Sequence, residues 1–372
     1  MSNNVIRAGI DRGFGVTKFY SDLETGAVDS LVAPISEDRA KEIIANNKDD
    51  DEVIVLKLST KSGPDDDYQY FLVGSYVSKV EPQYAERDLR RNRTDNVSEN
   101  ILFLTAMGLC TKDLEKVSMI VTTGLPTDEF ERRREQYAKT ILHNRQPYFF
   151  SIIRKGKEYK KEITVLKANV ENQPKGTIIA VLNDKLKNKK TTGEDWVDLK
   201  SKRFAVCDIG FNTTDLSIYV GKDIVHDEKV NFSTFAVVQI AKTCKRLIEE
   251  HFVCVKSEAE VIECMKTGMV KIKGKMLDCS DLIHQGFLLN AELLINEISS
   301  KWETELDTFD ELILTGGAVS NMDFANILKD QISDKCGWEV TVCENSQFAN
   351  AKGFYIISRS LDQQPQQKNT EE

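Results

Sequence analysis

Proline and histidine are scarce in this 372-residue chain, at 7 and 4 residues. So little proline excludes a collagen-like or polyproline chain, and 41% apolar against 29% charged residues excludes a wholly disordered one. No apolar run reaches the ~18 residues a membrane span requires. Met1-Ser2-Asn3-Asn4 lacks the basic-then-apolar order of a signal peptide. The eight cysteines (110, 207, 244, 254, 264, 279, 336 and 343) stand apart, without a C-x-x-C pair. With so few histidines they form no zinc pattern, so the expectation is buried, reduced thiols in a cytoplasmic protein. Positive charge is in deficit: Lys+Arg 50 against Asp+Glu 59 gives a net charge of −9. That disfavours broad binding to a phosphate backbone, so neither direct nucleic-acid contact nor a membrane partner is expected. Walker A and Rossmann glycine patterns are also missing. The length, at roughly 100–200 residues per domain, allows two or three domains.

What the chain does contain is a strand-and-turn unit used twice. Val5-Ile6-Arg7-Ala8-Gly9-Ile10 runs into Asp11-Arg12-Gly13-Phe14-Gly15, and Val16-Thr17-Lys18-Phe19-Tyr20 returns. Such strands around a Gly-containing turn predict a β-hairpin. Phe204-Ala205-Val206-Cys207 runs into Asp208-Ile209-Gly210-Phe211-Asn212-Thr213, and Thr214-Asp215-Leu216-Ser217-Ile218-Tyr219 returns. The leading aspartate recurs at an offset of 197 residues, from 11 to 208. Two copies half a chain apart predict two similar domains facing each other.

Between the copies, Met119 to Thr123 is a strand ending at Gly124-Leu125-Pro126. A helix should follow, with Thr127 as cap and Glu131-Arg132-Arg133-Arg134-Glu135 on a solvated face. Leu312-Ile313-Leu314 runs into Thr315-Gly316-Gly317-Ala318, with a helix opening near Ser320-Asn321. Apolar residues at helical spacing predict two core-facing stripes: Val237, Ile240, Ala241, Cys244, Leu247 and Ile248, then Ile283, Phe287, Ala291, Leu294 and Ile298. Three stretches read as irregular: 37–67, a polar peripheral subdomain with Asp65-Asp66-Asp67; the Lys-rich 183–202; and a disordered tail at 362–372. Arg87, Arg90, Arg91 and Arg93 form a basic patch without interleaved aromatics, which argues against single-strand stacking. It reads as a solvated loop or as a contact for the acidic face of a second subunit.

A strand ending in Asp-x-Gly-x-Gly-x-Thr-Lys presents backbone N–H groups where glycines let a phosphate approach. Thr17 and Lys18 close that pattern, and the Lys18 ammonium suits β- or γ-phosphate oxygens. Asp11, with no cationic partner within the motif, is expected to hold Mg²⁺ through water. Either hairpin alone could equally be a solvated turn. The second copy adds Asp208, Gly210, Thr213 and Thr214, with hydroxyl donors in place of the lysine. Thr315 to Ala318 would supply a side-chain-free ledge for a nucleoside. Lys242, Lys245 and Glu249 read as a solvated helix face rather than a base pocket.

Together these motifs resemble the actin, sugar-kinase and heat-shock-chaperone ATPase superfamily. Asp11 to Lys18 resembles its first phosphate motif, Asp208 to Asp215 its second and Thr315 to Ala318 its adenosine motif. Val121 to Pro126 and Phe348 to Gly353 look like its two connecting segments. The order is the family's, and the resemblance spans residues 5 to about 360. Gly124-Leu125-Pro126, Phe71-Leu72-Val73-Gly74 and Asn350-Ala351-Lys352-Gly353-Phe354 look most like bacterial actin-like proteins of the ParM type, which segregate plasmids. The second phosphate motif departs from the family's Gly-Gly: Phe211 narrows the turn, and Asn212 is expected to relieve it with φ > 0.

The resemblance implies an α/β actin-like (ribonuclease H-like) fold of two domains, with the nucleotide in the interdomain cleft. Residues 1–175 would form the first domain, with a C-terminal helix at 346–361 packing back on it, and 176–345 the second. It implies ATP, or GTP in its place, with Mg²⁺ held through water by Asp11 and Asp208. Gly13, Phe14, Gly15, Thr17, Lys18, Gly210, Phe211, Asn212, Thr213 and Thr214 would surround the phosphates, and Gly316, Gly317 and Ala318 the nucleoside. An acidic residue before the second phosphate motif would polarise the attacking water. Glu171, in the segment Val170 to Gly176, is the choice over a plain solvated loop carboxylate, with Gln173 as runner-up and Asp215 as a structural partner across its hairpin. The implied function is a filament-forming ATPase acting on plasmid DNA through a DNA-binding adaptor. A sugar-type kinase would need an acceptor pocket with a further general base, and no segment declares one. A heat-shock chaperone would need a substrate-binding domain beyond residue 372. Other cytoskeletal roles stay open.

Overall fold

The computed structural model describes residues 5–59, 68–84, 96–188, 198–225, 231–233, 235–302 and 308–363. It divides into two compact units, Met1–Ala180 with Asn350–Glu372, and Val181–Ala349. The Asp65–Asp67 cluster, the Arg87–Arg93 patch, residues 189–197 and residues 364–372 lie outside the described residues.

In the first unit nine strands form one sheet in the order β3-β2-β1-β7-β9-β8-β5-β6-β4. They are β1 (Val5–Arg12), β2 (Val16–Ser21), β3 (Thr25–Asp29), β4 (Val32–Ile35), β5 (Ile54–Ser59), β6 (Tyr68–Val73), β7 (Lys116–Leu125), β8 (Tyr148–Arg154) and β9 (Lys157–Asn172). β1, β7 and β9 run parallel, so their carboxyl ends share one edge. Strand alternation in β1 sends Ile6, Ala8, Ile10 and Arg12 to one face and Arg7, Gly9 and Asp11 to the other. The first face packs on the helix Val97–Cys110, where Ile101, Leu102, Phe103, Leu104, Ala106 and Met107 are all buried. A helix apolar all round has to be enclosed in this way. Arg12, 1% exposed, pairs there with Glu99 at 3.0 Å and lies 4.6 Å from the Tyr137 ring centroid.

The other face of β1 takes the helix Ala349–Gln363. A Cβ at Gly9 would overlap the Ala351 carbonyl oxygen, and one at Gly124 would lie 2.5 Å from the Phe354 ring. Gly353 likewise meets the backbone of Gly176, near the start of the helix Gln173–Asn188. Polar contacts fix the register. The Thr177 N–H and hydroxyl donate to Asn350 Oδ1 at 3.0 and 2.8 Å, and the Ser358 hydroxyl donates to the Ala8 carbonyl at 2.8 Å. Asp362 pairs with Arg7, so the first residues of the expected tail belong to this helix.

The described part of the 37–67 stretch, residues 37–59, is not mainly loop. Glu37–Asn46 is a helix capped by Ser36, and β5 lies inside the sheet between β6 and β8. Ile54 and Leu56 of β5 enter the main core, while Val53 and Val55 join Ala33, Ala40, Ile43 and Leu72 in a smaller one. Within residues 37–59 most polar side chains lie on the exposed side of the helix and in the turn after it.

In the second unit the order is β12-β11-β10-β16-β17, from β10 (Arg203–Ile209), β11 (Thr214–Val220), β12 (Asp223–Ile224), β16 (Glu311–Thr315) and β17 (Val340–Val342). β13 (Asn231–Ser233) pairs with β11, and β14 (Met269–Ile272) with β15 (Lys275–Asp278) makes a separate hairpin. The helices Val237–Phe252 and Ser280–Lys301 carry the two expected stripes into one core, except that Val237 and Leu247 are only partly buried. Asn321 caps the helix Met322–Cys336, accepting from the N–H groups of Asp323 and Phe324. The helix Thr127–Leu142, by contrast, has Pro126 at its cap position, so Thr127 is already its first residue. The stretch from Asn183 begins as helix, and Lys185 pairs with the buried Glu311 at 2.9 Å. All eight cysteines are free and six are buried. No helix among the described residues is long and apolar enough to cross a membrane.

Gly353→Ala forces a methyl group into the Gly176 backbone. Overpacking of this kind costs about 1–3 kcal/mol. The expected outcome is a thermal midpoint several degrees below the parent's, and an unchanged midpoint would show that the contact carries no weight.

Candidate functional site

The β1–β2 register sets Asp11 opposite Lys18. The turn between them closes through the Gly13 N–H, which donates to the Val16 carbonyl at 3.2 Å. A Cβ at Gly13 would lie 2.8 Å from that oxygen and 3.0 Å from Lys18 Nζ, so glycine is what lets the ammonium rest on the turn. The expectation that Asp11 lacks a cationic partner is corrected here. Lys18 Nζ stands 3.3 Å from Asp11 Oδ2, and Gln173 Nε2 donates to Oδ1 at 3.0 Å. Asp11 is 2% exposed, and it orients both neighbours. Ser30, which no motif marked, braces the loop. Its hydroxyl donates to the Gly13 carbonyl at 2.7 Å, and its N–H donates to the Gly15 carbonyl at 3.0 Å. Thr17 is buried with its hydroxyl 3.1 Å from Ser30 Oγ, so it stiffens the turn from inside. Gly13 and Phe14 are partly exposed, and Gly15 is buried.

Glu171 lies in β9, not in a loop, and Gln173 opens the helix that follows. The sheet register pairs Ile10 with Thr123 and Gly124 with Glu171, which sets Asp11 and Glu171 at the same edge of the parallel strands. Glu171 accepts from Asn169 Nδ2 at 3.0 Å and pairs with Lys175 at 2.9 Å. Its side chain is only 16% exposed, so it is not a solvated carboxylate.

The second hairpin repeats the first turn. The Gly210 N–H donates to the Thr213 carbonyl at 2.9 Å, and a Cβ at Gly210 would meet that oxygen at 2.8 Å. The place of Lys18 is taken by Asp215, which stands opposite Asp208 in the register. Neither Phe211 nor Asn212 has a positive φ, so the expected relief at Asn212 is not needed. The Gly210 and Phe211 carbonyls accept from the N–H groups of Val237 and Val238 at 3.2 Å, which fixes the turn on a helix start. Thr214 is fully buried and donates its hydroxyl to the Phe235 carbonyl at 2.7 Å, which removes it as a phosphate donor. Phe211, Asn212 and Thr213 remain partly exposed at the turn.

Asp208, 5% exposed, lies in register with Thr315 of β16. Gly316 has φ +96°, and a Cβ there would lie 2.5 Å from Asp208 Oδ1, so this glycine makes room for the carboxylate. Space is open only at Gly317, where a Cβ would meet nothing within 4 Å, whereas Ala318 belongs to the core. Burial, with the carboxylates of Asp208 and Asp215 nearby, pushes the Cys207 thiol well above its ordinary pKa and keeps it protonated. On the helix Val237–Phe252, Lys245 and Glu249 stand 3.9 Å apart, and Glu249 also accepts from the Lys256 N–H at 2.7 Å.

Two family descriptions divide the chain between them. Residues 9–176 match the actin like proteins N terminal domain, and residues 206–332 match the archaeal actin homologue MreB-like, C-terminal domain. No curated protein matches the chain. Among solved structures, the crystal structure of the actin-like protein Alp7A is 18% identical with a TM-score of 0.73, covering 96% of this chain and 97% of its own. A 15-stranded ParM filament from Clostridium botulinum is 19% identical at TM-score 0.70, covering 96% and 99%. Bacillus thuringiensis ParM with ATP is 17% identical at TM-score 0.69, covering 96% and 99%. At such identities the likeness is one of fold: two mixed α/β domains, each with a large sheet and flanking helices. With an actin-like domain matched in each half and the actin-like fold matched over nearly its whole length, the chain belongs to the actin-like proteins.

Proposed function

We propose that this chain is an ATPase that assembles into nucleotide-dependent filaments in the cytoplasm and moves plasmid DNA through a DNA-binding adaptor. The observation that carries the reading is the repeated turn, closed by the same glycine N–H bond after a buried aspartate in each unit. Support comes from the relatives, one described as a filament and another as binding ATP. Lys18 and the N–H groups around Gly13 and Gly15 take phosphate oxygens, as do those around Gly210 with the Thr213 hydroxyl. Gly317 lies against the nucleoside. Among the described residues no three His, Cys, Asp or Glu side chains gather as a metal cluster. Asp11 and Asp208 would reach a hard cation such as Mg²⁺ through water, and bound there it would neutralise phosphate charge. Glu171 polarises the attacking water, and Gln173, whose amide nitrogen is committed to Asp11, offers its oxygen as the second reading. Loss of the γ-phosphate removes the Lys18 contact and weakens the polymer.

Light scattering and phosphate release, read on one sample across a protein dilution series with ATP or GTP and Mg²⁺, test this reading. Scattering that appears only above a critical concentration, with phosphate release following it, is the expected result. Release linear in protein without scattering would rule out the filament. Asp208→Ala is expected to abolish nucleotide-dependent assembly, and normal assembly would refute its role toward the metal. Glu171→Ala should still assemble but release phosphate at least tenfold more slowly, leaving persistent filaments. An unchanged rate would move the role to Gln173.

A further inference from the structure

Lys161 is the outlier among the buried polar side chains of the first unit. It lies on β9 at 3% exposure, and no carboxylate stands within ion-pair distance of it among the described residues. Buried ammonium groups are ordinarily matched by a counter-charge. Here the ammonium donates to the carbonyls of Lys112 and Leu114, the latter at 2.9 Å. These residues follow the helix Val97–Cys110, whose last carbonyls and dipole favour a cation. An ammonium has three N–H donors, and the third finds no acceptor among the described residues.

Beside Lys161 is a cavity of about 410 Å³, within the size range of small-molecule sites. Its apolar wall comes from Phe19, Val28, Ile54, Leu109 and Ile152. Gly26 keeps that wall intact, since a Cβ there would lie 2.6 Å from the Phe19 ring. Of the other charges on the wall, Lys112 pairs with Glu24 at 3.1 Å and Arg154 with Asp51 at 3.3 Å, and Asp113 also lines it. Asp113 and Glu115 act on Lys161 only through space, and Tyr159 carries its ring 6.0 Å from the ammonium.

We propose that this cavity is a binding site for a small amphipathic carboxylate, whose acid group pairs with Lys161 and whose apolar body fills the Phe19–Leu109–Ile152 wall. The site lies wholly within the first unit, its lining includes neither Asp11 nor Lys18, and it stands independently of the ATPase reading. Desolvation lowers the Lys161 pKa to about 8, with Asp113 and Glu115 opposing the shift. The cation is therefore present below that pH and lost as pH rises through it. A bound anion stabilises the charged form and moves the loss to higher pH.

The test is calorimetric titration of the full chain with decanoate, below its micelle concentration, against the neutral isostere decanol. Decanoate is expected to bind at least tenfold more tightly than decanol, with a preference that declines as pH rises past about 8. Lys161→Met should erase the preference. Thr25→Trp, at an exposed position on the cavity wall, should block both ligands without touching the buried charge. Because Lys161→Met also strips two carbonyls of their donor, Thr25→Trp keeps the test decisive if that variant unfolds. Equal affinity for the two ligands, undiminished decanoate binding by Thr25→Trp, or no decanoate binding by the parent overturns the proposal.

Discussion

Two chain segments reach backbone contact only where neither carries a Cβ on the facing side, and this unit is arranged around that constraint. Gly9, Gly124, Gly176 and Gly353 let the helix Ala349–Gln363 lie directly on β1, β7 and the start of the helix Gln173–Asn188. With that seat fixed, strand alternation decides the rest. Asp11 emerges two residues past Gly9 on the same face, and Glu171 emerges in register with Gly124. The helix start brings Gln173 to Asp11. The same device recurs on a smaller scale, where Gly13 admits Lys18 and Gly316 admits Asp208.

The two hairpins share a turn and differ in charge. In the first, the cross-strand partner of the aspartate is a lysine, and the pair is nearly neutral with its ammonium at the loop. In the second, it is another aspartate. Like charges directly opposite on a ladder are unfavourable in the absence of donors or a cation. One backbone form therefore sets a lysine opposite its aspartate in one unit and a second aspartate opposite it in the other. The substitution of Lys by Asp at an otherwise constant offset is what distinguishes the halves chemically.

Much of this was legible in the sequence because the hairpins carry it locally. The strands, the turns and the capping asparagine at 321 each follow from a few adjacent residues. The helix Val97–Cys110 was not legible, because a segment apolar on every side shows no period. Residues 37–67 misled for the opposite reason: averaging a solvated helix face with a buried strand hid β5. At the site, the pairing of Asp11 with Lys18 follows from hairpin register, a signal present in the spacing and read instead as free charge. Ser30 and Lys161 owe their roles to partners far along the chain, which a local pattern does not encode. Thr214 had the right residue type, but its burial against Phe235 is a tertiary fact.

Asp11 has a further consequence through Gln173, the first residue of a helix that the chain uses to pass from one unit to the other at Ala180. The same helix carries Lys185, whose buried partner Glu311 opens β16. That strand ends at Thr315, in register with Asp208, and Gly316 follows against the Asp208 carboxylate. Each link is a short polar contact, a strand register or a length of secondary structure, and the helix Gln173–Asn188 carries residues of both units. Its first residue is fixed by a carboxylate of the first unit and its last turns by a carboxylate of the second, so one helix spacing sets which residue meets each.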